Sequence, residues 1–305
     1  MKHLIIDSPL VPNGKAVHVR DIPVNKIIRG YNRLGIDTSD IFYSVRNISV
    51  YRCKASAYEF YQPYGLDGSS KFYEKLQKFE WYYMHWKWEH EVALSYLEDG
   101  QRILEVGCAH GAFLNGAHNR IKLGRSIGLE LNETAPVDNK KFIIINSSIQ
   151  NFQKNNDELF DVVCSFQVLE HISDVHSFLE AKINCLKRYG KLLISVPNNE
   201  SFVGKNFSVL NAPPHHVGLW GTRSLAYLEN LFPIKLLNMH YESLQDYHIG
   251  SYIQAKYYAQ YPSFIAYIIK KMHKFTGKYQ ERLDHAVTTK ESILGHTVLA
   301  VFQKY

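Results

Sequence analysis

Two short groups of residues in this chain have the types and spacing to do chemistry. The first is Glu105-Val-Gly107-Cys-Ala109-His-Gly111, an acid closing a short apolar run and passing at once into a turn with glycines at 107 and 111. Glycine allows positive φ and close approach of a ligand to the main chain, and the segment that follows can offer the N–H groups of a helix N-terminus. A dinucleotide site would use G-x-G-x-x-G with those N–H groups facing a pyrophosphate. Here Ala109 and Ala112 interrupt that pattern, and Glu105 stands where a diphosphate would be repelled. A ligand with a ribose and a positively charged amino group, but no phosphate, suits the carboxylate better, and S-adenosylmethionine is such a ligand.

The second group is Asn211-Ala-Pro-Pro-His215-His216-Val-Gly-Leu-Trp220. In-line displacement at a methyl group draws its rate from positioning and desolvation, and a hydroxyl acceptor must also lose its proton. Histidine, with an ordinary pKa of about 6.5, is a natural base near neutral pH. His216 and His215 are the candidates, with His171 third. The plainer readings of a histidine pair are metal ligation or surface polarity. Neighbours on an extended loop point to opposite sides, so one of the pair, His216 by preference, is expected to face the reaction.

These groups need a scaffold, and the apolar runs supply one. Strands are expected at Arg102 to Glu105, Ser126 to Glu130, Phe142 to Ile145, Phe160 to Phe166, Tyr189 to Pro197, Ile234 to His240 and in the final SILGHTVLAVFQKY. Gly190 is expected to break the helix before the fifth. Near-continuous apolar strands alternating with helical stretches predict an α/β fold with a parallel sheet covered on both faces. Ligands of such sheets sit beyond the carboxyl ends of the strands, where Glu105, Glu130 and Phe166 fall.

The segments LEVGCAHGAFL, IGLELN, FDVVCSFQVLEHISD and YGKLLISVPN, in this order and spacing, resemble class I S-adenosylmethionine-dependent methyltransferases, in particular bacterial small-molecule and sugar methyltransferases of surface-glycan biosynthesis. The resemblance implies a seven-stranded Rossmann-like sheet, mostly parallel with an antiparallel last strand. It places Glu105, Gly107, Ala109 and Gly111 on the methionine and adenosine side, Glu130 and Leu131 at the ribose, Ser148 and Ile149 at the adenine, and Phe166 and Gln167 along the cofactor. Two positions depart from the pattern. Ala109 replaces a glycine, which is tolerable at negative φ, and Ser148 stands where many relatives carry an acid.

Residues 76–305 are expected to form this domain, with a helical insertion at 241–291 that serves as dimer interface, substrate lid or membrane-surface contact. Residues 1–75 are expected to form an α+β appendage. YRCKASAYEF resembles half of a zinc-ribbon module, but only Cys53 remains of its thiolates, so no metal is expected. Between them lies an aromatic helical stretch, Lys71 to Leu97, with Trp81, Trp86 and Trp88. The plain reading packs these rings into the core. The sharper one makes Tyr82, Tyr83, His85 and Trp86, with Trp220, a wall over the substrate.

The 305 residues, 21% charged and 46% hydrophobic, exclude disordered and fibrous classes. The first residues lack a signal-peptide core and no run spans a bilayer, so a cytoplasmic enzyme is expected. Cys53, Cys108, Cys164 and Cys185 read as reduced core thiols. A net charge of +6 comes without a dense basic run, which argues against nucleic acid and suits anionic small substrates such as nucleotide sugars. The expected activity is O-methylation of a sugar hydroxyl. A small aromatic, polyketide or quinone acceptor, or a non-catalytic cofactor-binding relative, is the alternative.

Overall fold

The structure is a computed structural model that describes residues 5–79, 84–131 and 141–305. Among the described residues, twelve strands form two sheets. In chain order they are β1 (Ile5–Asp7), β2 (Lys15–Pro23), β3 (Asn47–Cys53), β4 (Glu59–Gln62), β5 (Ile103–Val106), β6 (Ser126–Glu130), β7 (Ile143–Asn146), β8 (Phe160–Phe166), β9 (Leu186–Pro197), β10 (Gly218–Leu219), β11 (Ile234–Ser243) and β12 (Leu294–Lys304). The larger sheet has the order β11-β12-β9-β8-β5-β6-β7, with β12 antiparallel to both its neighbours and the rest parallel.

This order follows from the sequence pattern. Strands buried on both faces read as continuous apolar runs, and all four residues of β5 are buried. The chain steps outward from β5 to β6 and β7 on one side, then returns to β8 and β9 on the other. The crevice at that reversal opens beyond the carboxyl ends of β5, β6 and β8. Gly190 does not break a helix: β9 begins earlier, at Leu186, and runs through it. A Cβ at 190 would sit 3.0 Å from the Asp161 carbonyl oxygen, so the glycine lets β9 lie close against the start of β8.

The smaller sheet is antiparallel, in the order β1-β2-β3-β4-β10. Four of its strands come from the expected α+β appendage, and the fifth arrives from far along the chain, Gly218 pairing with Phe60. The core continues across the junction as well. Trp220 is fully buried, its ring 4.4 Å from that of Tyr58, in one cluster with Phe60, Leu104 and Ile194. The expected boundary near residue 75 is thus bridged by a strand that leads out of the histidine loop.

Helix Val175–Asn184 covers β8 and buries Lys182, whose Nζ donates to Ser165 Oγ. Burial pulls this ammonium down to about 7. The unfolded chain keeps its proton to a pH of about 10.4, so between pH 7 and 10 unfolding takes up a proton and stability from this residue rises with pH. Lys182→Met is expected to stabilise the protein at pH 7 by about 2 kcal/mol and to flatten this rise. Denaturant unfolding at pH 7 and pH 9 checks it; equal slopes in both proteins would sink the assignment.

The insertion is helical as expected, with helices Ile249–Tyr257, Ser263–Phe275 and Lys278–Thr289. They share a small core of Ile253, Tyr258, Ala266 and Ala286 with Phe202. Phe264, Tyr267 and Phe275 stay exposed. Among the described residues no helix is long and apolar enough to cross a membrane.

Candidate active site

A single cleft of about 1390 Å³ opens at the carboxyl edge of the parallel strands and holds both chemical groups picked out in the sequence. On one side the turn after β5 bends through Gly107 (φ 74°), Ala109 (φ 47°) and Gly111 (φ 72°). A Cβ at Gly107 would lie 2.5 Å from Val168 Cγ2 and one at Gly111 2.5 Å from Phe142 Cε2, so both positions require glycine for space as well as for φ.

Ala109 departs from expectation: its φ is positive. The reason lies in β6. Glu130 Oε2 accepts the Ala109 N–H at 2.9 Å and Oε1 accepts that of Leu131 at 2.8 Å, so one carboxylate holds the turn against the strand end. Left-handed backbone costs an alanine about 1 kcal/mol. Ala109→Gly is therefore expected to raise stability by up to about 1 kcal/mol with the cleft unchanged, as thermal unfolding with and without S-adenosylhomocysteine would show. Loss of stability would mean that the alanine is not strained there. Gln167, also in the cleft wall, is the second non-glycine residue of the site with positive φ (55°).

Glu105 lines the cleft fully buried, and its Oε2 has no hydrogen-bond partner among the described residues. Burial first, and the charge of Glu130 second, hold its carboxyl well above the usual range. An unpartnered buried carboxylate facing a cleft is completed by a cation, and the amino group of S-adenosylmethionine supplies one. Leu131, Ser148 and Ile149 line the same end, Leu131 exposed at the rim and Ile149 buried. Ser148 Oγ accepts the Asn151 N–H at 3.1 Å, capping helix Ile149–Lys154. Phe166 packs against Phe113 and His90, with ring centroids 4.7 and 4.9 Å away. The residues present fit the cofactor.

On the other side, His215 and His216 do not diverge. The loop is a turn and not an extended segment: both N–H groups donate to the Ala212 carbonyl, at 3.1 and 3.2 Å. The two rings stack 4.5 Å apart, and His171 lies edge-on to both, at 4.6 and 4.9 Å. All three line the cleft. Burial drives His171 down to about 4, and burial with the neighbouring rings holds His215 and His216 well below 6.5. The rings are neutral at pH 7 and weak as bases.

Glu170 completes the cluster. It is 1% exposed, neither of its oxygens has a hydrogen-bond partner among the described residues, and burial pushes its carboxyl up to about 8. Its Oε1 stands 3.9 Å from the Nε2 atoms of His171 and His216. Sequence reasoning passed over Glu170, and over Glu89, Tyr247, His248 and His296 on the far wall. Their chemistry comes from burial and from the insertion folding over the cleft, which local pattern does not encode.

The proposed aromatic wall is placed differently. Trp220 is enclosed in the core and does not line the cleft. Trp86 lies flat on helix Ala112–His118, where a Cβ at Gly116 would meet its ring at 2.2 Å, and His85 is exposed outside the cleft. Trp81, Tyr82 and Tyr83 lie outside the described residues. The four cysteines are free and buried.

A sequence profile of methyltransferase domains matches residues 81–261. The chain is 28% identical over 133 residues to the mitochondrial ubiquinone biosynthesis O-methyltransferase of Dictyostelium discoideum, a match covering 37% of this chain and only 40% of that protein's length. It is 24% identical over 178 residues to the ubiquinone biosynthesis O-methyltransferase of Vibrio atlanticus (strain LGP32), covering 52% of this chain and 75% of that one. Among solved structures, a SAM-dependent methyltransferase from Archaeoglobus fulgidus aligns with 18% identity and a TM-score of 0.44 over 70% of this chain and 94% of that one. The chain belongs to the methyltransferase-domain family, with S-adenosylmethionine as its cofactor.

Proposed function

We propose that the protein methylates a hydroxyl group of a small-molecule acceptor. The observation that carries this is the joining of the Glu105–Glu130 turn and the His171, His215 and His216 cluster in one cleft. Bound S-adenosylmethionine supplies an electrophilic methyl group; the chain's own residues then have three tasks. Glu105 pairs with the amino group, and Glu130 accepts from ribose hydroxyls while it holds the Ala109 turn. Phe113, Phe166 and His90 shield one wall from water. The histidine cluster receives the acceptor hydroxyl and favours its deprotonated form.

The acidity of that hydroxyl decides between acceptor classes. Neutral, weakly basic rings are far from matching a sugar hydroxyl, whereas a phenol near pKa 10 is within closer reach. Similarity to two ubiquinone biosynthesis O-methyltransferases supports the same choice. A phenolic or enolic acceptor is therefore our first reading. A sugar hydroxyl is the second, supported by the polar far wall of Glu89, Tyr247 and His248. An anionic sugar derivative is less favoured, because among the described residues of the lining Lys87 and Lys270 alone are lysine or arginine.

The test is release of S-adenosylhomocysteine from S-adenosylmethionine with panels of substituted phenols, nucleotide sugars, phosphosugars and amines. Turnover confined to phenols is the expected result. Turnover confined to sugars would replace the first reading with the second, and product from amines alone would overturn O-methylation.

A further inference from the structure

The histidine cluster has features that proton transfer does not require. One ring nitrogen from each of His171, His215 and His216 lies within 4.8 Å of those from the other two. Each ring is also tied at Nδ1 to an oxygen that can only accept. His171 Nδ1 meets the His215 carbonyl, His215 Nδ1 the Leu210 carbonyl at 2.8 Å, and His216 Nδ1 the Asn211 Oδ1 at 3.0 Å. An acceptor at Nδ1 puts the proton there and the lone pair on Nε2. The Asn211 amide is itself oriented, its Nδ2 donating to Asn199 Oδ1 at 2.8 Å, while Asn199 Nδ2 donates to the Pro197 and Trp220 carbonyls. Acceptors from the one stretch Leu210–His215, with Asn199 bracing Asn211, thus hold all three imidazoles in the same tautomer.

The second observation is Glu170. Its carboxylate is buried, takes no hydrogen bond among the described residues and faces the Nε2 atoms of two of the three rings. An acid enclosed beside imidazole nitrogens that carry lone pairs lacks a positive partner. A cation shared between the carboxylate and those nitrogens satisfies all of them together.

We propose that His171, His215, His216 and Glu170 form a binding site for one divalent transition-metal ion, with zinc the first candidate. Three imidazoles, with or without a carboxylate, form a borderline-soft donor set suited to such ions, and histidine ligands characteristically donate their other ring N–H to a carbonyl or carboxylate. Zinc bound at about 2.1 Å to each nitrogen would draw them to roughly 3.4 Å from one another, against the 4.8 Å within which they now lie. All four side chains line the cleft, so the acceptor oxygen would enter as a fifth ligand or in place of Glu170.

In that position the metal deepens the hydroxyl-acceptor reading, on which this part of the inference rests. A cation lowers the pKa of an oxygen bound to it, so the acceptor O–H bond breaks with its proton passing to water. The oxygen's electron pair then forms the bond to the methyl carbon as the carbon–sulfur pair stays on sulfur, leaving S-adenosylhomocysteine. The histidines then act through the metal and not as bases.

Chelator-treated full-length protein titrated with Zn²⁺ in a calorimeter, and with Co²⁺ followed by visible absorption, tests the site without any acceptor. One equivalent binding with micromolar or tighter Kd, and the intense cobalt bands of a low-coordinate nitrogen–oxygen site, are expected. His171→Ala and His215→Ala should each weaken binding at least about 100-fold, Glu170→Gln less, and Asn211→Leu about 10- to 100-fold. His118→Ala, outside the cleft, should leave it unchanged. Absence of saturable one-to-one binding by the wild-type protein overturns the proposal, as does binding that survives both histidine replacements. S-adenosylhomocysteine calorimetry on the same samples keeps the readings apart: intact cofactor binding without metal refutes the metal site alone, and metal binding without cofactor binding refutes the methyl-transfer reading alone. Should a histidine variant misfold, the wild-type titration and Glu170→Gln still decide.

Discussion

Glu130→Ala is expected to weaken binding of S-adenosylhomocysteine by about 100-fold or more while the protein remains folded. The carboxylate sits at the end of β6, and its two oxygens already accept the Ala109 and Leu131 N–H groups. A carboxylate has about four acceptor positions, which leaves it capacity for ribose hydroxyls. Hydrogen bonds to a charged group contribute roughly 1.5–3 kcal/mol each, and every 1.4 kcal/mol is tenfold in affinity. Losing the ribose contacts accounts for most of the effect, and release of the strained Ala109 turn adds to it. Glu130→Gln keeps an acceptor and should cost about tenfold. Calorimetric titration of both variants measures this directly, and an unchanged Kd for Glu130→Ala would remove the ribose role.

His171→Ala and His216→Ala are expected to lower kcat by about 10²- to 10⁴-fold with S-adenosylhomocysteine affinity unchanged within a few fold. The separation follows from the layout of the cleft, in which the cofactor turn and the histidine cluster occupy different walls. The size is the same whether the rings take the hydroxyl proton or hold a cation that acidifies it, since either way the acceptor oxygen is left protonated. His215→Ala should behave likewise, because it removes the ring that packs edge-on against His171. Full turnover in all three variants would detach the cluster from the reaction.

The parallel sheet was legible in the sequence because its strands are buried on both faces and therefore read as unbroken apolar runs. Ser126–Glu130 and Phe160–Phe166 fall where the pattern places them. Glu105, Gly107, Gly111 and Glu130 were legible for a related reason: each lies at a strand end or in the turn that follows, so local order encodes their place. Ala109 was misjudged because the bond that holds its φ positive comes from a residue 21 positions later. The histidines were found by type, but their convergence depends on a turn at Ala212 that alternation along an extended loop does not anticipate. Glu170 was passed over although it lies in FDVVCSFQVLEHISD, since its burial beside the histidines is not encoded in local pattern. The N-terminal sheet was read as an α+β appendage without its last strand, because that strand comes from residues 218 and 219.

That two-residue strand bears on how the protein is made. The first four strands of the smaller sheet leave the ribosome early and present β4 as an unpaired edge until Gly218 and Leu219 have been synthesised. Closing so long a loop is slow, and an open edge meanwhile invites pairing with other chains. The Ala212 turn, only a few residues before β10, is set when that edge is finally covered. A nascent chain that ends before β10 would thus carry the cofactor turn after β5 but not the strand that anchors the histidine loop to the smaller sheet.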